Sequence, residues 1–156
     1  MDDKTRMDRV GRFINTLNQA RELGLSVVNA GEGYLTLCLP YSERIIGNPV
    51  TGVIHGGAIT TLMDTASGSV TLCALDEFEL CPTLDLRVDY MRPADPGRPV
   101  YARAEAYRVT RNIIFTRCEA YQDEGDTVAN CVGTFMRIGK EASPKSYRDL
   151  ITGGSE

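Results

Sequence analysis

Apolar positions along the chain change period several times, and each change marks an element. Over residues 4–23, Met7, Val10, Phe13, Ile14, Leu17, Ala20 and Leu23 fall on one helical face, with Gly24 as the stop signal, so the spacing predicts an amphipathic docking helix. Two short strands follow at 25–30 and 34–39, separated by the Gly31-Glu32-Gly33 turn; in the second, Leu35, Leu37 and Leu39 alternate with Tyr34, Thr36 and Cys38. Pro40 closes that strand, and the segment to Val53 reads as a loop. From Ile59 the period returns to that of a helix, with Leu62, Met63, Ala66, Val70 and Cys73 in one stripe, giving a long helix over about 57–75.

The rest is strand-like. Leu84, Leu86, Val88 and Tyr90 alternate with Thr83, Asp85, Arg87 and Asp89, and the Pro- and Gly-rich stretch from Arg92 to Pro99 is a connection. Residues 100–109 place Ala102, Ala104 and Ala106 at every second position, which leaves room for a helix to lie on that face. Further strands are predicted at 113–122 and 127–138, and the tail from Gly139 is expected to be loose. A helix, a hairpin, one long apolar helix and four strands with short connections give an α+β fold. The physical solution is an antiparallel sheet twisted around the long helix.

Length and charge narrow the picture. The 156 residues make one domain the simplest organisation. Its core is expected over about 10–138, with 139–156 as the flexible tail. The net charge of -4, with 17 scattered basic residues, speaks against a nucleic-acid footprint. No apolar run approaches the ~18 residues of a membrane span, and the polar start is unlike a signal peptide, so a cytoplasmic location without membrane association is expected. Five cysteines without a C-x-x-C spacing read as small buried hydrophobes, not as a disulfide framework or zinc site, and the single histidine argues against a His-rich metal centre.

The chemistry concentrates between Asn48 and Asp64. This stretch brings an amide, the only histidine, Gly56, Gly57 and a carboxylate to the entry of one helix. The first amides of a helix lack intrahelical partners and sit at the positive end of its dipole, which suits an anion or a developing oxyanion. The long helix carries no lysine or arginine and no charge but Asp64 before Asp76, so it is expected to be either enclosed or packed on both faces, and a carboxylate inside it needs a reason. Taken one at a time, Gly-Gly before a helix is most often a turn, Asn48 before Pro49 a turn residue and a lone histidine structural. Crowded into one stretch, those readings weaken together.

The Ile54–Ala66 segment I-H-G-G-A-I-T-T-L-M-D-T-A, followed by T-L-D-L-R-V-D-Y-M-R-P-A from Thr83, resembles the hot-dog-fold acyl-CoA thioesterases of the phenylacetate-pathway (PaaI-like) type. The resemblance spans about residues 10–138. It implies a long helix wrapped by a curved antiparallel sheet, edge-paired dimers that assemble into tetramers, and an active site between two subunits. It implies an acyl-CoA substrate, aryl-acyl or medium-chain, with CoA as part of the substrate and no separate cofactor or metal. By that resemblance Gly56 donates its amide to the thioester carbonyl and Asp64 acts as general base or nucleophile. His55 orients the site, Asn48 contacts substrate or water, and Thr83 supplies a hydroxyl near the carboxylate. Gly57, Arg92, Arg108 and Arg111 are the candidates for holding CoA. The loop between Asn48 and His55 is one residue longer than in the relatives it resembles. A non-catalytic acyl-CoA binding or sensing module on the same fold is the alternative, and the retained Asp64 speaks against it.

Overall fold

The computed structural model describes residues 1–154. Its N-terminal segment forms α1 (Asp3–Thr16) and α2 (Asn18–Leu23) in place of the single helix expected over 4–23. Asp2 caps α1 by accepting the Thr5 amide at 2.7 Å. Leu17 then leaves the helical conformation (φ -87°, ψ 115°), and its side chain turns into the cavity beside Asp64. Gly24, at φ 70°, ends α2 as expected.

Six strands follow: β1 (Ser26–Gly31), β2 (Tyr34–Leu39), β3 (Thr83–Tyr90), β4 (Val100–Val109), β5 (Ile113–Tyr121) and β6 (Thr127–Met136). They form one antiparallel sheet in the order β1-β2-β4-β5-β6-β3. β3 therefore pairs with the last strand and not with its sequence neighbour, and it forms an edge. The last two strands end a residue or two before the expected limits, where helical and strand patterns fray into the turns.

The long helix is α3 (Gly56–Ser69), continued after Val70 by the short α4 (Thr71–Ala74). Its apolar stripe, Ile59, Leu62, Met63, Ala66, Val70 and Cys73, is buried throughout. Ala102 and Ala104 of β4 are fully buried, and α3 packs on that strand and on β2 and β5. Small side chains on the sheet thus let the helix settle into its concave side, as the alternation predicted. This is the hot-dog arrangement of α+β type. Register irregularities within the β3/β6, β4/β5 and β5/β6 pairs add local bend to the curl.

The tail corrects one expectation. Residues 145–152 are not loose: α5 (Lys145–Thr152) docks on α1, with Ile151 fully buried and Tyr147 packed against Phe13 and Phe78. The Tyr147 hydroxyl also hydrogen-bonds Thr16 Oγ1 at 2.7 Å. Tyr147 and Ile151 are four residues apart on one helical face, which is enough to anchor so short a helix once α1 offers an apolar surface. The end of the expected tail, 155–156, lies outside the described residues.

Candidate active site

The loop into α3 is held by its own backbone. Gly47 N–H donates to Val53 O at 2.8 Å and His55 N–H to Ile45 O at 2.7 Å. Gly47 has to be glycine, because a Cβ there would lie 2.7 Å from His55 Cα. Asn48 Oδ1 accepts from the Val50 and Thr51 amides at 3.0 and 3.3 Å, so its side-chain oxygen is committed to an Asx turn. The structure accounts for Asn48 as the residue that shapes the loop.

At the helix start the two glycines separate in role. His55 is the N-cap, and its Nδ1 accepts from the Gly57 amide at 2.8 Å. An accepting Nδ1 carries no hydrogen, so a neutral ring bears its hydrogen on Nε2. The Gly57 amide is therefore occupied, while the Gly56 amide has no hydrogen-bond partner among the described residues. The Gly56 carbonyl accepts from the Tyr90 hydroxyl at 2.6 Å, and the same hydroxyl pairs with Thr60 Oγ1. Tyr90, the last residue of β3, thus fastens the helix start to the sheet edge. Sequence reasoning missed this role; the only signal was that Tyr90 ends the alternating strand two residues before the Arg92-Pro93 break.

Asp64 lies two turns into α3 on the face shared with Gly57, Thr61 and Gly68, and it is half-buried. Burial pushes its pKa above the ordinary 3.8, because desolvation disfavours the ionised form; a hydrogen bond from Thr83 opposes this in part. That bond, from Thr83 Oγ1 to Asp64 Oδ1, is 3.3 Å long. The structure therefore brings together two residues 19 positions apart, as the resemblance implied for a hydroxyl near the carboxylate. Asp64 and Thr83 both line an apolar cavity of about 350 Å³, walled by Phe13, Leu17, Leu72, Leu80 and Phe135. They also line a second recess toward the helix start, with Thr60, Thr61 and Leu86.

Gly56 and Asp64 do not meet within one chain. Eight residues of helix separate them, about 12 Å along the axis at 1.5 Å per residue, farther than one thioester carbonyl and its attacking water extend. The arginines divide as well. Arg92 is spent internally, on Asp126 at 2.9 Å and on the Pro93 carbonyl at 2.8 Å, whereas Arg108 and Arg111 are exposed. The five cysteines are free thiols, and burial pushes Cys73 up to about 12 and Cys81 and Cys131 up to about 11, so these three are inert at neutral pH. Among the described residues no group of three or more His, Cys, Asp or Glu is arranged to hold a metal ion, and no helix is long and apolar enough to cross a membrane.

A helix-start amide without a partner, a desolvated carboxylate and an adjoining apolar cavity are the parts that hydrolysis of an acyl derivative needs. Comparison with known proteins agrees. Residues 51–129 match the family model of the thioesterase superfamily. A Pseudomonas aeruginosa protein of known crystal structure is 58% identical, covers 85% of this chain and 99% of its own, and superposes with a TM-score of 0.79. The medium/long-chain acyl-CoA thioesterase YigI of Escherichia coli is 27% identical over 80% of this chain and 88% of its own. A putative esterase of Halobacterium salinarum is 41% identical, but that match spans only 46% of this chain and 50% of the relative's length. A mutant structure of the phenylacetic acid degradation protein PaaI from Thermus thermophilus is 28% identical over 76% of this chain and 96% of its own, with a TM-score of 0.67. The chain belongs to the thioesterase superfamily, as a thioester hydrolase of the PaaI-like type on a hot-dog fold.

Proposed function

We propose that this protein hydrolyses an acyl-CoA thioester to the free acid and CoA, in a site shared by two copies of the chain. The observation that carries this reading is Asp64: a half-buried carboxylate on an otherwise charge-free helix, hydrogen-bonded by Thr83 and lining an apolar cavity. The acyl group occupies that cavity. The thioester carbonyl oxygen lies at the Gly56 amide of one copy, where the helix dipole and the unpaired N–H stabilise the negative charge that develops on attack. Asp64 of the other copy takes a proton from water as it adds to the carbonyl carbon, or attacks that carbon itself. Collapse of the tetrahedral intermediate breaks the carbon–sulfur bond. On the general-base route the CoA thiolate takes up the proton held by Asp64 and the free acid leaves. On the nucleophilic route the thiolate departs and leaves an anhydride on Asp64, which water hydrolyses to the free acid and the regenerated carboxylate, with the released proton going to the thiolate.

The ~12 Å between Gly56 and Asp64 in one chain supports a shared site. So does the open edge of β3, where Leu84 is 55% exposed and Tyr90 and Met91 are also uncovered. A homodimer paired along this edge and assembling further into a tetramer goes with the reading. Arg108 and Arg111, which form no ion pair among the described residues, are the cations left to meet CoA phosphates. The acyl group is aryl-acyl or medium-chain, CoA enters as part of the substrate, and no separate cofactor takes part. A cytoplasmic location belongs to the same reading and is supported by the five free thiols.

The test is turnover of a panel of acyl-CoA thioesters by the wild type and by Asp64→Asn. Asn keeps the shape and the acceptor for Thr83 but cannot take a proton, so kcat should fall on the order of 10²-fold to 10⁴-fold. An Asn variant within tenfold of the wild type would remove Asp64 from the mechanism.

A further inference from the structure

Gly68 stands inside α3, one turn beyond Asp64 and on the same face, and it is half-buried. A glycine within a helix weakens it relative to alanine, so its presence there needs a cause. Backbone geometry supplies none: Gly68 is helical and is not among the glycines of positive φ. Packing within the chain supplies none either. Apart from its chain neighbours and the helix's own backbone, a Cβ on Gly68 would meet a single atom within 4 Å, Phe135 Cε1 at 3.4 Å, an ordinary van der Waals contact. Gly133 on β6 marks the contrast, because a Cβ there would lie 3.0 Å from Phe135 and 3.1 Å from both Leu86 and Thr116.

What remains is space. Gly68 and Phe135 both wall the cavity beside Asp64, and along the helix Gly68 falls between Asp64 and Thr65 on one side and Thr71 and Leu72 on the other. A side chain longer than a methyl group, stopped by the ring of Phe135, would extend into the cavity that both residues line. At 1.5 Å per residue, Gly68 is about 6 Å along the axis from Asp64 and Leu72 about 12 Å. An extended alkyl chain running along the helix, with bonds of about 1.5 Å, advances ~1.25 Å per carbon, so roughly its fifth carbon comes level with Gly68 and roughly its tenth with Leu72. We infer that Gly68 is a specificity-determining residue: the side chain it lacks keeps the acyl cavity open midway along its length and so admits acyl chains that run on toward Leu72. The inference rests on the thioesterase reading, because it takes this cavity to hold the acyl group.

Two chain lengths read this directly: butanoyl-CoA, which stops short of Gly68, and decanoyl-CoA, which passes it, with wild type, Gly68→Ala and Gly68→Leu. The decanoyl-to-butanoyl ratio of kcat/KM should fall by about threefold or more for alanine and about tenfold or more for leucine, the scale on which one ill-fitting methylene discriminates. Alanine favours the helix and meets only an ordinary contact, so Gly68→Ala should unfold at the wild-type Tm or above it. A ratio within about threefold of the wild type in the larger variant that folds, or a wild type that turns over butanoyl-CoA but not decanoyl-CoA, overturns the inference and leaves the thioesterase reading intact. A lower Tm for Gly68→Ala with equal loss of both substrates overturns it too, because it assigns the glycine to packing. Turnover of no CoA thioester by the wild type overturns both readings.

Discussion

Gly56 offers an unusually clean perturbation, because it is the first residue of α3, where proline is tolerated and its missing amide hydrogen breaks no intrahelical bond. His55, at φ -61° and ψ 130°, already has the extended conformation that a following proline requires. Gly56→Pro therefore deletes the unpaired N–H proposed to meet the oxyanion and leaves the helix intact. The side effect is steric: a Cβ at this position lies 3.3 Å from the Tyr90 hydroxyl, close enough to need a shift of a few tenths of an ångström. Gly56→Ala carries the same Cβ but keeps the N–H, so the ratio of the two variants reads the loss of the amide hydrogen together with the ring Cδ that takes its place. Loss of one such donor costs about 10²-fold to 10³-fold in kcat, equivalent to ~2.7–4 kcal/mol of transition-state stabilisation. The assay is steady-state release of CoA thiol, with circular dichroism as the check on folding. A proline variant that folds and turns over within threefold of the alanine variant would refute the assignment of the oxyanion site.

Three further outcomes follow from the same geometry. Thr83→Val removes a long, partly exposed bond to the ionised form of Asp64, worth about 1 kcal/mol; the acid limb of the kcat/KM profile should move up by ~0.7 pH unit, and a limb that stays put would separate Thr83 from the carboxylate. Because burial raises the pKa of Asp64 above 3.8, its contribution to stability declines as pH rises from the unfolded value through the folded one; at neutral pH Asp64→Asn should raise Tm while it lowers turnover, and a lower Tm would contradict the desolvation argument. Ile151→Ala should cost about 2–5 kcal/mol in denaturant unfolding, since the side chain is fully buried, whereas a value below ~0.5 kcal/mol would return the C-terminal segment to a loose tail.

Some parts of the site were legible in the sequence because they break a local rule. Asp64 stood out as the one charge in a helix with no charged face, and the structure finds it half-buried. Thr83 stood out only through the family resemblance, since a threonine opening an alternating strand breaks no local rule, and the fold sets its hydroxyl against Asp64. The two glycines were indistinguishable as letters; only the N-cap geometry of His55 shows that one amide is taken and the other is unpaired. Tyr90 gave no local signal, because its role depends on a contact with a residue 34 positions away. The same limit applies to the sheet: period-two patterns locate strands, but nothing local says that β3 pairs with β6. The break at Leu17 was hidden because a residue that leaves a helix to fill a cavity is as apolar as one that stays.

The central claim is a site assembled from two copies, with Gly56 from one and Asp64 from the other, and mixing two inactive variants tests it most directly. Gly56→Pro and Asp64→Asn chains, unfolded and refolded together, form heterodimers in which one site regains both wild-type residues and the other loses both. Statistical pairing then predicts recovery of about a quarter of wild-type activity from two nearly silent parents. If each chain instead supplied both residues of its own site, every site in the mixture would carry a lesion. A refolded mixture no more active than its parents would contradict the shared site.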